Sequence, residues 1–367
     1  MQRRSFLKKA GLGAVAGSAA LAAPAIADDN PKISWKMTSS YAPSLPPLFS
    51  TAELFVKMIK EATNGNFDIR LYPGGEIVPP FEVMDAVGDG TVECGQTASY
   101  YYYGKDPSFC FDTAVPFGLN TRQMFSWMYN GDGMELLREL FATRNIVNFP
   151  FGNTGTQMGG WYRKEINTPD DFKGLKMRTA GFAGEVLARM GVVPQQIPGG
   201  DLYPALEKGT LDAVEFVGPA DDEALGLQKV AKYYYYPGWW EGSAQVSLYV
   251  NDEAYNALPD QYKSLIDTAT RAAGTNLASR YDVENPAALR RLVADGAVLK
   301  PFPREVMDAS YEASEVVYKE FCDKDERFKR IYDSYMAFRD DVVPWFRVAE
   351  GSFDNYLGIA LASQRNK

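Results

Sequence analysis

Thr168-Pro-Asp-Asp-Phe-Lys-Gly-Leu-Lys-Met-Arg-Thr179 is the stretch around which the chain is organised. Thr168 and Pro169 suit the cap and first residue of a short helical turn, and Asp170 and Asp171 suit its positive end. Gly174 closes the turn. Leu175 and Met177 then alternate with Lys176 and Arg178, the period of a strand with one buried face. Gly181 and Gly184 follow, and a helical run begins near Phe182. Arg178 therefore falls at the carboxyl end of a strand, where open α/β sheets bind ligands. Position alone also fits an arginine exposed on a strand edge.

Upstream, Ile33, Trp35 and Met37 alternate with polar residues as a first strand. Leu48, Ala52, Phe55, Met58, Ile59 and Ala62 recur at helical spacing up to Gly65. Phe67, Ile69 and Leu71 form a second strand, Pro79 and Pro80 open a helix through Val87, and a third strand starts near Val92. This order reads as a parallel α/β unit. The chain then partly repeats itself. Asp85–Gly95 and Pro204–Val214 each run from a helix end through Gly-Thr to an apolar residue, an acid and a strand. Tyrosine clusters follow both, at Tyr100–Tyr103 and Tyr233–Tyr236. The expected fold is α/β, with two similar lobes facing each other across a cleft. Between them, Thr121–Asn130 and Met134–Arg144 read as helices and Ile146–Phe151 as a strand. The Gly-rich stretch Gly152–Gly160 suits a hinge or a close backbone approach to a ligand. No Gly-Lys-Ser/Thr follows it, which removes a phosphate loop.

The N-terminus begins with Arg3-Arg4, continues through an apolar run rich in Ala and Gly, and reaches Ala25-Ile26-Ala27. These parts, in this order, make residues 1–27 a twin-arginine export signal to be excluded from the fold. The signal holds four of the 38 basic side chains and none of the 47 acidic ones, which leaves residues 28–367 at net −13. Such a field argues against nucleic acid or anionic membrane as partner. An anionic ligand needs a local cation. Cys94, Cys110 and Cys322 contain no C-x-x-C, and the length of the chain favours buried free thiols over a Cys94–Cys110 disulfide. Histidine is absent, so the commonest general base and the usual zinc and copper ligands are missing. Any metal must be held by oxygen, as sodium, calcium or magnesium are.

Beyond Glu253 the pattern is helical: Tyr262–Tyr281, Pro286–Asp295, Arg304–Cys322 and Arg327–Val343, with Pro344 breaking the last. The tail Trp345–Ser363 presents Phe346, Phe353, Tyr356, Leu357, Ile359 and Leu361. It either lies on its own protein or serves as a dimerisation arm.

The residues available for chemistry are Arg178, Gln157, Glu215 and Glu241, with the aromatic clusters as walls. Glu215 ends the apolar strand Leu211–Phe216, and Glu241 follows Pro237-Gly238-Trp239-Trp240. Each glutamate read singly is an ordinary solvated acid. As a pair they could serve a glycosidase. No nucleophile motif or cofactor fingerprint accompanies them.

Thr168–Arg178 and Ala205-Leu-Glu-Lys-Gly-Thr-Leu-Asp-Ala213 resemble motifs of the solute-binding proteins of TRAP transporters, the DctP family. Gly152–Trp161, Val193–Gln196, Gly199–Pro204 and Tyr233–Glu241 resemble its TakP-like branch, which binds small 2-oxo acids. The resemblance spans nearly all of residues 28–367. It implies no enzyme but a periplasmic receptor that passes a small monocarboxylate such as pyruvate to the membrane subunits of a transporter. Arg178 would pair with the ligand carboxylate in a bidentate contact. A metal cation, Na+ or Ca2+, would sit beside it, held by side-chain oxygens of Gln157, Glu215 and Glu241 and the backbone carbonyl of Phe216. That branch tends to carry Trp where this chain has Phe216, so the pocket wall differs. Tyr101 is a further expected wall. One arginine, two glutamates and a ligand carboxylate sum to −2, which a closed cleft holds only with a cation. The expected organisation is residues 28–152 plus about 243–270 as lobe 1, 153–242 plus about 271–343 as lobe 2, and 344–367 as a helical arm, with a homodimer as one role for the arm. Alternatives are a receptor for a 2-hydroxy acid such as lactate or for a sugar acid, a sensor subunit, or a secreted glycosidase using Glu215 and Glu241.

Overall fold

The computed structural model describes residues 31–365. The export-signal reading of residues 1–27 lies outside them. Eleven strands make two sheets. The first has the order β2 (Phe67–Tyr72), β1 (Ile33–Ser39), β3 (Cys94–Thr97), β10 (Gln245–Asn251), β4 (Ile146–Asn153). The second has the order β11 (Val298–Pro301), β9 (Tyr233–Tyr236), β5 (Gly160–Tyr162), β8 (Ala213–Val214), β6 (Lys176–Arg178), β7 (Val193–Gln195). The alternation read for the first strand holds, since Trp35 and Met37 are buried. They lie over the Leu48, Ala52, Phe55 and Ile59 stripe of the helix Pro46–Ala62.

Each lobe is built on one sheet, and each sheet contains one strand that runs against its neighbours. In the first it is β10, antiparallel to β3 and β4. In the second it is β5, antiparallel to β8 and β9. The odd strands sit beside the two crossings between sheets, residues 153–160 and 236–245. These crossings are laced together: Thr154 N donates to Ala244 O at 3.0 Å, Gln157 N to Glu241 O at 3.1 Å and Gly238 N to Gln157 O at 2.9 Å. A Cβ on Gly238 would come within 2.6 Å of the Met158 carbonyl, so the approach needs glycine there.

Five sequence expectations are corrected. The helix expected from Pro79 starts at Val83 (Val83–Gly88), and the strand expected at Val92 starts at Cys94. Strand Leu211–Phe216 shrinks to Ala213–Val214, because the Glu215 carbonyl turns away to accept from Arg178. The separate helices Tyr262–Tyr281 and Pro286–Asp295 are one helix, Asp260–Ala294. Pro286 and Asp282, whose carbonyl loses its intrahelical donor, are both exposed, so water can replace the missing bond. Pro344 likewise lies inside the helix Glu326–Phe346 rather than ending it, and a π turn, Arg347–Gly351, leads into the helix Ser352–Arg365. Asp340, which faces the same loss, is exposed too.

The position 270 at which the lobes were expected to divide falls within the continuous helix Asp260–Ala294. That helix packs on β4 and the helix Pro46–Ala62, and also on the helix Pro219–Leu225 beyond the crossing. The cysteines are free, with Cys94 and Cys110 buried. No helix among the described residues is long and apolar enough to cross a membrane. Arg122 reaches Phe346 and Glu350 at the start of the tail, but most of its apolar side chains are uncovered: Trp345 is 61% exposed, Phe353 66% and Tyr356 73%.

Candidate functional site

Arg178 ends β6 and pairs in register with Val214 of the parallel neighbour β8, so Arg178 and Glu215 emerge side by side from strand carboxyl ends. The arginine is completely buried. Its Nη1 donates to the Glu215 carbonyl at 2.7 Å and to Glu215 Oε1 at 2.8 Å, and its Nε donates to the Ile197 carbonyl at 3.2 Å. The Phe216 ring lies under the guanidinium, 5.2 Å from centroid to carbon. Nη2 has no partner. Nη1 and Nε already bind this chain, which leaves the two hydrogens of Nη2 as the free donors.

Glu215 and Glu241 are buried, at 0% and 2% exposure. Glu215 Oε2, Glu241 Oε2 and Gln157 Oε1 lack hydrogen-bond partners. Gln157 presents its oxygen because its amide nitrogen is held by Thr154 Oγ1 at 3.1 Å. Gly160, at φ +86°, brings β5 against Glu215, and a Cβ there would meet the Val214 carbonyl at 2.6 Å. Burial pushes the Glu215 carboxyl up to about 7, with Arg178 pulling the other way. Burial, then the charge of Glu215, holds the Glu241 carboxyl well above the carboxylate range. Burial opposes the charge on Arg178, but Glu215 and the facing tyrosines outweigh it and the guanidinium is raised.

Gln157, Phe216 and Tyr101 line one narrow pocket of about 10 Å³ with Tyr41, Thr154 and Gln245. Tyr101 stacks on Tyr100 at 5.0 Å and touches Phe81. Tyr101 and Phe216 also border a wider outer cavity of about 170 Å³. The second tyrosine cluster takes no part in these cavities: Tyr234 and Tyr235 are buried in β9, stacked on Trp161 and Phe302 respectively. Tyr41 and Thr154 were not singled out from the sequence. Tyr41 follows the polar end of β1, and the strand-end rule that selected Arg178 points to it as well.

Among the described residues no group of three or more His, Cys, Asp or Glu side chains could hold a metal ion. The set here is different in kind: two carboxylate oxygens and an amide oxygen, all buried and unpartnered, on residues linked by the Gln157 N to Glu241 O bond and by the mutual charge of Glu215 and Glu241. All-oxygen donors with two negative charges fit sodium or calcium. Buried polar atoms are normally satisfied, so these three acceptors and the guanidinium nitrogen are open to a partner from outside the chain.

A two-sheet α/β fold with buried charges at strand ends, next to a pocket lined by Tyr101, Gln157 and Phe216, is compatible with a solute receptor. Residues 38–325 match the family described as bacterial extracellular solute-binding protein, family 7 (DctP), and the chain belongs to that family. It is 47% identical over 326 residues, 89% of each chain, to the monocarboxylate 2-oxoacid-binding periplasmic protein of Nostoc sp.. A TRAP transporter solute-binding protein of Bordetella bronchiseptica, crystallised as a dimer with copurified calcium and picolinate, is 49% identical. It superposes with a TM-score of 0.90 over 91% of this chain and 100% of that one. The Pseudoalteromonas atlantica protein with bound sodium and pyruvate is 38% identical, with a TM-score of 0.86 over 88% of this chain and 99% of that one.

Proposed function

We propose that this chain is the periplasmic solute-binding component of a TRAP transporter and takes up a small 2-oxo monocarboxylate of the pyruvate class together with Na+ or Ca2+. The observation that carries the reading is the set of starved polar atoms around Arg178 and the two glutamates. Arg178 Nη2 donates to the ligand carboxylate. Gln157, Glu215, Glu241 and the Phe216 carbonyl hold the cation, which supplies the positive charge that two glutamates and an acid require. A 2-oxo acid suits such a pair because its carboxylate and adjacent oxygen can meet one ion. Tyr101 and Phe216 wall the small end of the pocket. Relatives that bind pyruvate with sodium and 2-oxo acids support this choice.

The chain performs no reaction of its own. Glu215 is tied to Arg178 rather than free to act as an acid or nucleophile, which argues against the glycosidase alternative. The lobes are assigned to 28–152 with about 243–270, and 153–242 with about 271–343, with the helix Asp260–Ala294 shared between them. The arm, residues 344–367, whose side chains Trp345, Phe353 and Tyr356 are exposed, joins a second copy, in keeping with the dimeric Bordetella relative. Residues 1–27 direct export by the twin-arginine route.

Calorimetry of the exported protein with pyruvate, 2-oxobutyrate, lactate and a uronate, each with calcium, sodium or chelator, tests the reading. Cation-dependent binding of the 2-oxo acids is expected. Preference for lactate or the uronate transfers the function to the 2-hydroxy or sugar-acid alternative, and no heat with any acid removes it.

A further inference from the structure

Behind Glu215 lies a second buried acid that the acid–cation reading does not use. Asp222 is 1% exposed, in the first turn of the helix Pro219–Leu225. Its bonds come from neutral donors: Trp161 Nε1 at 3.0 Å and the Tyr234 hydroxyl at 2.6 Å. Both converge on Oδ2, and Oδ1 is buried without a partner. The two rings stack at 4.0 Å, and Trp161 stands in register with Val214, the residue before Glu215. Asp222 is thereby fixed relative to the site, and its charge acts on both Glu215 and Arg178. A buried carboxylate without a cationic partner weakens the fold, and two aromatic donors do not neutralise it.

We propose that Asp222 is a specificity-determining residue for the cation, its buried charge favouring a divalent over a monovalent ion. The inference rests on the acid-and-cation reading above. Coulomb attraction scales with the charge of the ion, so a fixed carboxylate at a given distance stabilises Ca2+ by twice what it gives Na+. With Arg178, Glu215, Glu241 and the ligand acid, sodium leaves the site at −1 and calcium leaves it neutral. Asp222 adds one further negative charge and shifts the balance toward calcium.

Asp222→Asn separates this charge from packing. Trp161 and Tyr234 both meet Oδ2, so an asparagine carbonyl there keeps both bonds while the charge is lost; the Val217 backbone N–H also favours the carboxylate. The adjacent Asp221 provides the control: it is equally buried, and its Oδ2 accepts from Tyr281 of the long helix at 2.6 Å. The measurement is pyruvate-dependent calcium and sodium affinity at matched ionic strength in the whole exported protein, with the melting temperature of the cation-free state. In Asp222→Asn, calcium affinity falls about tenfold and sodium affinity about threefold, the ratio that charge scaling requires. The cation-free protein melts higher, whereas a merely structural role would lower it. Asp221→Asn leaves the calcium-to-sodium ratio unchanged. An unaltered ratio in Asp222→Asn, an equal change in Asp221→Asn, or equal losses for both ions with a lower melting temperature each overturns the proposal alone. Wild-type protein that binds no acid with either ion overturns it together with the proposed function.

Discussion

Two buried carboxylate settings on either side of the crossings are treated in opposite ways. Asp112, beside the first sheet, is fully buried and saturated with neutral donors. Its Oδ1 accepts from Asn148 at 3.3 Å and Gln245 at 3.2 Å, and its Oδ2 from Ser247 at 2.6 Å and from Ser99. Burial raises the Asp112 carboxyl, and those hydrogen bonds offset part of the rise. Glu215 and Glu241 are buried as deeply, yet each keeps an oxygen with nothing to accept from. A saturated buried acid holds its neighbours in place. A carboxylate with an open oxygen keeps an acceptor that a partner from outside the chain can meet.

The sharpest way to break this contrast is Arg178→Met, which leaves Glu215 with no compensating charge. It is expected to cost about 3–5 kcal/mol of stability, read by denaturant midpoint, and to abolish pyruvate binding. Normal binding by this variant would mean that the acid sits elsewhere. Asp112→Ala should cost about 2–3 kcal/mol by orphaning its donors, while the folded protein keeps wild-type pyruvate affinity in calorimetry. A lost affinity would show that the two settings are coupled.

Glu241→Gln should act in the reverse sense on stability. Removing a carboxyl that burial already disfavours stabilises the cation-free protein by about 2 kcal/mol, and calcium binding weakens in the same titration. Loss of stability would make Glu241 a structural acid like Asp112.

The smallest effect is a slope. The folded value for Glu215 lies near 7, against 4.5 for an unburied glutamate. The folded state therefore keeps a proton that the unfolded chain has released, and stability declines as pH rises from 4.5 to 7. The contribution is about 1 kcal/mol per pH unit within that window. Melting curves with chelator check it. Saturating calcium should flatten or reverse the trend, since cation and proton compete for the same oxygen.

Arg178, Glu215 and Glu241 were legible because each breaks a local pattern: a cation at a strand end, a carboxylate closing an apolar run, an acid after paired tryptophans. Their burial and shared geometry follow from strand register, which no local pattern carries. Asp222 was illegible for the same reason, since Trp161 and Tyr234 reach it from strands 61 and 12 residues away. The engagement of Arg178 Nη1 by Glu215 was equally hidden, because it depends on β8 ending early. Pro286 and Pro344 were misread as breaks. Their lost carbonyl partners face water, and the helix Asp260–Ala294 is held by packing on β4 and on the helices Pro46–Ala62 and Pro219–Leu225.

Trp239 and Trp240 stand immediately before Glu241, buried at 4% and 1% exposure and packed edge to face at 4.8 Å. Neither indole N–H has a partner. A change of charge at the neighbouring carboxylate therefore acts on the excited-state dipole of a dry indole pair rather than on solvent-quenched rings. Intrinsic fluorescence gives this receptor an optical reporter of occupancy that needs no label.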